Sequence, residues 1–156
     1  MRYWEDIEVG DRASFGHYEV THDEVVDFAR RYDPQPFHLS DEGAADTHFG
    51  RLAASGWHTC AMTMAMNVAH MQADAGESAA LGAAGIDELR WLKPVYPGDV
   101  LRCESEIVDT RASNSRPDMG SARSKMTVLN QDDVPVMTFI AIGLWRRRPA
   151  DGAGQG

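Results

Sequence analysis

Trp57-His58-Thr59-Cys60-Ala61-Met62-Thr63-Met64-Ala65-Met66-Asn67-Val68-Ala69-His70-Met71 holds no Asp, Glu, Lys, Arg, Gly or Pro. At helical pitch it makes about four turns, and its apolar residues fall on nearly every face. A helix without a polar face is one buried all round. Methionine in such number reads as adaptable core filling; a Met-lined binding groove is the other use of that composition.

Beyond this helix the hydrophobic period changes. A Gly- and Ala-rich loop is expected over 75–85, then a strand through Asp87-Glu88-Leu89-Arg90-Trp91-Leu92 into the turn Lys93-Pro94-Val95-Tyr96-Pro97-Gly98-Asp99. Three more stretches have strand length, 100–108, 122–130 and 136–146. In the first, Leu101, Cys103, Ser105 and Ile107 alternate with Arg102, Glu104 and Glu106, the period of a half-buried antiparallel strand. Asn130-Gln131-Asp132-Asp133 supplies the turn between the last two.

Upstream, a short strand is expected near 13–20, then the capping box Thr21-His22-Asp23-Glu24. The helix it opens carries Val25, Phe28, Ala29 and Tyr32 on one stripe, and Pro34 and Pro36 forbid its continuation. Ser40 can start a second short helix, with Asp41 and Glu42 in its first turn. One buried helix with consecutive antiparallel strands predicts an α+β fold, a curved antiparallel sheet wrapped round a long central helix. Residues 1–148 are expected to form one domain and 149–156 a polar, Gly-rich tail. A single sheet of this kind leaves edge strands open, so a dimer is expected.

Composition narrows the function. The 156 residues carry 15 Lys and Arg against 24 Asp and Glu, a net charge of −9, which argues against nucleic-acid or membrane-surface partners. No apolar run is long enough to span a membrane and no secretion signal opens the chain, so the expected location is cytoplasmic. Cys60 and Cys103 lack metal-ligand spacing and read as free thiols. His38, Asp41, Asp46 and His48 match no ligand pattern, and Gly82-Ala83-Ala84-Gly85 lacks the setting of a dinucleotide loop, so neither metal nor cofactor is expected.

Chemistry is sought at two places. Asp33 and His38 lie five residues apart across two prolines, a spacing that can turn a carboxylate and an imidazole toward one water. The same spacing is met if Asp33 only braces the turn and His38 only bonds its backbone. Ala53-Ala54-Ser55-Gly56-Trp57-His58 opens the long helix. Helix N-termini present free amides, and Gly56 permits a substrate carbonyl to approach the backbone as in an oxyanion hole. Ser55 as an N-cap is compatible with that role. His17, His22 and His70 read as structural or solvent-facing.

Tyr32-Asp33-Pro34-Gln35-Pro36-Phe37-His38 resembles the hydratase-2 signature, Asp-x-Asn-Pro-x-His behind an aromatic residue, found in MaoC-like dehydratases and (R)-specific enoyl-CoA hydratases. The helix start at Ala54–His58, the Leu92–Asp99 turn and the Ser113–Gly120 hairpin resemble the same family, in family order. The resemblance implies the hot-dog fold and a reversible hydration of a 2-enoyl thioester to a 3-hydroxyacyl-CoA. It implies Asp33 and His38 as the water-holding pair, the Gly56 amide on the thioester oxygen, and Ser55 as polar support. It also implies homodimers or dimers of dimers, an acyl-CoA thioester as partner, and no cofactor, CoA being part of the substrate. Gln35 stands where the signature has Asn and is one methylene longer; with Ser55, Arg116 and Lys93 it is a candidate substrate contact, the two cations and Arg90 being candidates for CoA phosphates. Arg31-Tyr32 makes a bulkier approach to Asp33 than the family's usual small residue and Gly. Two rival functions share the fold: an acyl-CoA thioesterase, against which stands the lack of Asp or Glu in 53–60, and a non-catalytic acyl-CoA-binding subunit.

Overall fold

The computed structural model describes residues 1–73 and 76–150. Strands β1 (Arg12–Glu19), β2 (Ala80–Trp91), β3 (Val100–Ala112), β4 (Met119–Leu129) and β5 (Pro135–Arg146) form one sheet, in the order β1-β3-β4-β5-β2. Every neighbouring pair is antiparallel. β1 and β2 are therefore the two edges, and the chain between them carries α1 (His22–Tyr32), α2 (Asp41–Ala44) and α3 (Gly56–Ala73). This is the hot-dog arrangement, a five-stranded antiparallel sheet packed on the central helix α3.

The core lies where α3 meets the sheet. Met62 and Met66 of α3 pack with Leu101, Cys103, Met126, Val128, Val136 and Met137. Leu101 and Cys103 are wholly buried, as the period-two reading of β3 requires. Each such aliphatic side chain contributes about 1.5–3 kcal/mol by leaving water. β1 bends over the helix at Gly16, whose φ of +90° suits glycine and whose missing side chain makes room for Met66. The register against β3 shifts across the same point, between Phe15 and Tyr18. Cys60 and Cys103 are free, and burial pushes the Cys103 thiol up to about 12. No helix of the described residues is long and apolar enough to cross a membrane.

Two expectations are corrected. The helix is not buried on all sides within one chain: Trp57, Met64 and Met71 are 59%, 56% and 36% exposed. One five-stranded sheet covers only one side of a helix, and the apolar residues facing away from it stay open. The expected loop over 75–85 is largely strand, because β2 begins at Ala80 and pairs with β5 from Ala80↔Trp145 through Gly85↔Ile142. Its Gly and Ala content reflects irregular edge pairing, with Gly82 at φ +97° inside the register shift from Ala80 to Ala83. Residue 75 of that stretch, and 151–156 of the expected tail, lie outside the described residues.

Candidate active site

α1 starts with half of the expected capping box, the Glu24 amide donating to Thr21 Oγ1 while the Glu24 carboxylate turns to the Tyr18 hydroxyl instead of the Thr21 amide. It ends at Asp33, whose amide closes on the Ala29 carbonyl. Pro34 and Pro36 prevent another turn of helix. A 3-10 turn comes next, Pro36–His38, held by the His38 amide on the Gln35 carbonyl. This segment is tied to the start of α3 by the Ala53 amide on the Phe37 carbonyl, and the start of α3 to the 93–99 turn by the Ala54 amide on Val95. Asp99, 8% exposed, braces that turn, accepting from the Tyr96 amide and the Gln131 side chain. Three segments distant in sequence are thereby held edge to edge by backbone bonds.

Asp33 and His38 converge. Their Oδ2 and Nε2 atoms are 3.4 Å apart, and both side chains are largely buried. His38 Nδ1 lies 2.7 Å from the Ala53 carbonyl, which can only accept, so Nδ1 carries a hydrogen and Nε2 is the ring nitrogen turned toward Asp33. Phe37 and Phe49 wall the imidazole at 4.6 and 5.6 Å. Burial pushes the Asp33 carboxyl up, but hydrogen bonds from Gln35 and Ser55 and the charge of His38 outweigh it, leaving the group below its ordinary value. A carboxylate oxygen and the free edge of an imidazole thus face each other across 3.4 Å. A water seated beside the pair, on the pocket side, can hydrogen-bond to both.

Ser55 is fully buried and has two roles at once: its Oγ donates to Asp33 Oδ2 at 2.8 Å and accepts from the Trp57 amide at 3.3 Å. The second contact is an N-cap. The His58 and Thr59 amides close on the Ser55 carbonyl. The Gly56 amide has no acceptor among the described residues. Yet the glycine is needed for another neighbour as well, since a Cβ at Gly56 would fall inside the Trp91 indole. Gln35, expected at the substrate, lines the pocket and donates from Nε2 to Asp33 Oδ1 at 2.7 Å. The extra methylene lets its amide curl back two residues.

These groups line a pocket of ≈ 430 Å³ that also includes His48, Trp57, Trp91 and Lys93. Of the three candidate phosphate-binding cations, Lys93 is at the pocket and unpaired among the described residues. Arg116 is on the β3–β4 hairpin, paired with Asp118 at 3.1 Å, and Arg90 donates to the Leu89 carbonyl; neither lines the pocket. Arg31 and Tyr32 are exposed and also stay outside it, so the bulkier approach does not narrow this cavity. His17 and His22 face solvent, and His70 stacks on Phe15 at 4.3 Å. Asp41 accepts the Leu52 amide, and no three His, Cys, Asp or Glu side chains cluster among the described residues. The places of Trp91, His48 and Phe49 at the pocket have no local signal in sequence.

Residues 8–128 match the family described as MaoC like domain. The fold is similar to the crystal structure of a MaoC-like dehydratase from Rhodospirillum rubrum, with a TM-score of 0.84, 38% identity, and coverage of 96% of this chain and 100% of that one. The uncharacterized protein YdeM of Bacillus subtilis is 28% identical over 118 residues, 76% of this chain and 80% of its own. Mesaconyl-CoA hydratase of Cereibacter sphaeroides is 36% identical over 69 residues, 44% of this chain but only 20% of that enzyme.

Proposed function

The chain belongs to the MaoC-like domain family, a family of hydratases and dehydratases, and from that premise we propose that it reversibly hydrates a 2-enoyl-CoA-type thioester to the 3-hydroxyacyl thioester. The observation that carries this reading is the opposition of Asp33 Oδ2 and His38 Nε2 at 3.4 Å in a lined pocket. Water bound beside the pair and hydrogen-bonded to both adds its oxygen to the β-carbon. The proton it loses to one of the pair passes to the α-carbon on the same face, so the reaction balances with no outside acid. The reverse path removes the α-proton and expels the hydroxyl with that proton. The Gly56 amide takes the negative charge that collects on the thioester oxygen, and the partial positive charge of the α3 N-terminus adds to it. Gln35 and Ser55 hold Asp33 ionised and oriented. Lys93 supplies local positive charge for CoA against a net charge of −9.

Hydration of crotonyl-CoA, followed as loss of the enoyl absorbance, tests the reading. Asp33→Asn and His38→Gln are each expected to lower the rate by about 10²–10⁴-fold with the fold retained. Inertness of the wild-type protein toward short, medium and branched enoyl-CoAs overturns the hydratase reading.

One observation favours a second reading. The objection to a thioesterase is the lack of a carboxylate in 53–60, but Asp33 reaches the helix start in space through Ser55. Release of free CoA thiol from a saturated acyl-CoA would identify that activity.

The working unit is proposed to be a homodimer in the cytoplasm. Trp57, Met64 and Met71 recur every seven residues along the open side of α3, Trp57 meets Trp91 of edge strand β2 edge-on at 5.2 Å, and Ile86 and Trp91 of that strand are 53% and 47% exposed. A second copy covering this apolar surface would remove a strand edge and close the mouth of the pocket that Trp57 and Trp91 line.

A further inference from the structure

His58 is a buried histidine that the proposed chemistry does not use. It is 6% exposed, and its Nδ1 has no hydrogen-bond partner among the described residues. Its ring stacks face to face on Phe28 of α1, with centroids 4.7 Å apart and planes 8° from parallel. The position of this stack in the chain gives it meaning. Phe28 lies a turn and a half before Asp33 on the helix that ends there, and His58 lies three residues after Ser55 in the first turn of α3. The two rings therefore join the two helices that bring the halves of the Ser55–Asp33 hydrogen bond together. Otherwise that bond depends on the ends of two elements, where helices fray most readily.

We propose that the His58–Phe28 stack is the clamp that fixes the Ser55–Asp33 hydrogen bond, making His58 a positioning residue of the active site. The aromatic faces, and not the imidazole nitrogens, do the clamping. A protonated ring would carry a buried Nδ1–H with no acceptor, at a helix N-terminus where positive charge is unfavourable. The charged group that acts on it is Glu24 of α1, whose carboxylate accepts the Tyr18 hydroxyl from β1 at 2.9 Å and does not bond the imidazole. The clamp accordingly needs a neutral, flat side chain at 58. A phenyl ring meets that requirement without an unpartnered nitrogen.

This inference rests on the hydratase reading for its effect on rate, but not for its effect on Asp33. The Asp33 carboxyl is therefore titrated directly by carbon-13 NMR in wild type, His58→Phe, His58→Ala and Phe28→Leu, alongside crotonyl-CoA hydration. His58→Phe is expected to keep both the low Asp33 titration and the rate. His58→Ala and Phe28→Leu are expected to move the Asp33 titration up toward the ordinary carboxylate value. In both, kcat should fall about tenfold to a hundredfold with little change in KM, as for a catalytic group displaced by less than 1 Å. Phe28→Leu keeps an apolar filling and serves if His58→Ala does not fold. An Asp33 titration unmoved in a folded His58→Ala or Phe28→Leu protein overturns the clamp, as does loss of the low titration in His58→Phe. If no variant, wild type included, turns over enoyl-CoAs, the hydratase reading fails while the titrations still decide the clamp.

Discussion

Ser55 donates its hydroxyl to Asp33 across 22 positions of sequence, at 2.8 Å, while the same oxygen caps α3. One atom thus couples the stability of the central helix to the ionisation of the proposed catalytic carboxylate. Ser55→Ala is expected to cost about 1 kcal/mol from the lost cap. It should also raise the Asp33 pKa, because a hydrogen bond to the charged form is gone. In crotonyl-CoA hydration the acid limb of the pH profile then moves to higher pH. A destabilised protein whose acid limb stays in place would separate the two roles and contradict the coupling.

Gln35 makes the other hydrogen bond to that carboxylate, at 2.7 Å to Oδ1. Gln35→Ala should raise the Asp33 titration and lower kcat by about tenfold, roughly the worth of one hydrogen bond to a charged group. Because Gln35 is exposed, thermal stability should change little, within about 0.5 kcal/mol. A large rise in KM with kcat intact would instead put Gln35 on the substrate.

How much of the molecule is legible in its sequence depends on whether the determining contact is local. The Thr21 cap, the prolines after Asp33 and the alternation from Leu101 to Ile107 are local statements, and they specify α1, the Asp33–His38 turn and β3. The open side of α3 escapes such a reading, because an all-round apolar helix does not say whether its own sheet or another copy covers each face. The 80–85 segment escapes it because glycine and alanine signal a loop by composition but are tolerated at a strand edge paired to β5. Arg116 is a sensible cation on charge alone; its pairing with Asp118, two residues on, is the competing local interaction. Gly56 has a visible signal for close approach, but nothing local tells that Trp91 also occupies the space.

That last contact can be weighed by a double-mutant cycle. Gly56→Ala drives a methyl into the Trp91 indole and should cost about 1–3 kcal/mol by overpacking. In a Trp91→Ala background the space is open, and the same substitution should cost little, giving a coupling of about 1 kcal/mol or more by denaturant unfolding. An uncoupled cycle would mean that the indole moves aside freely and that Gly56 is required for the backbone amide alone.

The apolar stripe on α3 has its own test. Met64 is 56% exposed at the middle of the stripe, away from the Asp33–His38 pair. Met64→Lys should leave the fold intact and shift the protein from dimer to monomer by light scattering, since a charge placed in an apolar interface loses its hydration. A wild-type protein that is monomeric at micromolar concentration contradicts the proposed dimer. A dimer that survives the substitution locates the interface elsewhere.

His58 gives a pH dependence whose sign can be stated. Burial pushes its pKa below the ordinary value, and the opposing pull of Glu24 is smaller. The favourable contact of a cation with the Phe28 face, worth about 0.5–1 kcal/mol where exposed, also pulls upward. It is outweighed by the cost of a buried donor left without an acceptor, about 1–3 kcal/mol. The unfolded chain titrates His58 near 6.5. Above that pH the ring is neutral in both states, and its full contribution to stability is present. As the pH falls below it, the unfolded chain takes up a proton that the folded protein refuses, and stability drops by at most about 1.4 kcal/mol per pH unit. The loss ends once the pH passes the lower folded pKa, where both states carry the proton. Urea unfolding of wild type and His58→Phe between about pH 5 and 8 isolates this contribution, because the other titrating groups are common to both. The stability difference between the two proteins should be constant above about pH 7 and widen in favour of His58→Phe on the acid side. A difference that stays constant across the range would mean that the folded protein protonates His58 as readily as the unfolded chain does, and that the ring is not held neutral by its surroundings.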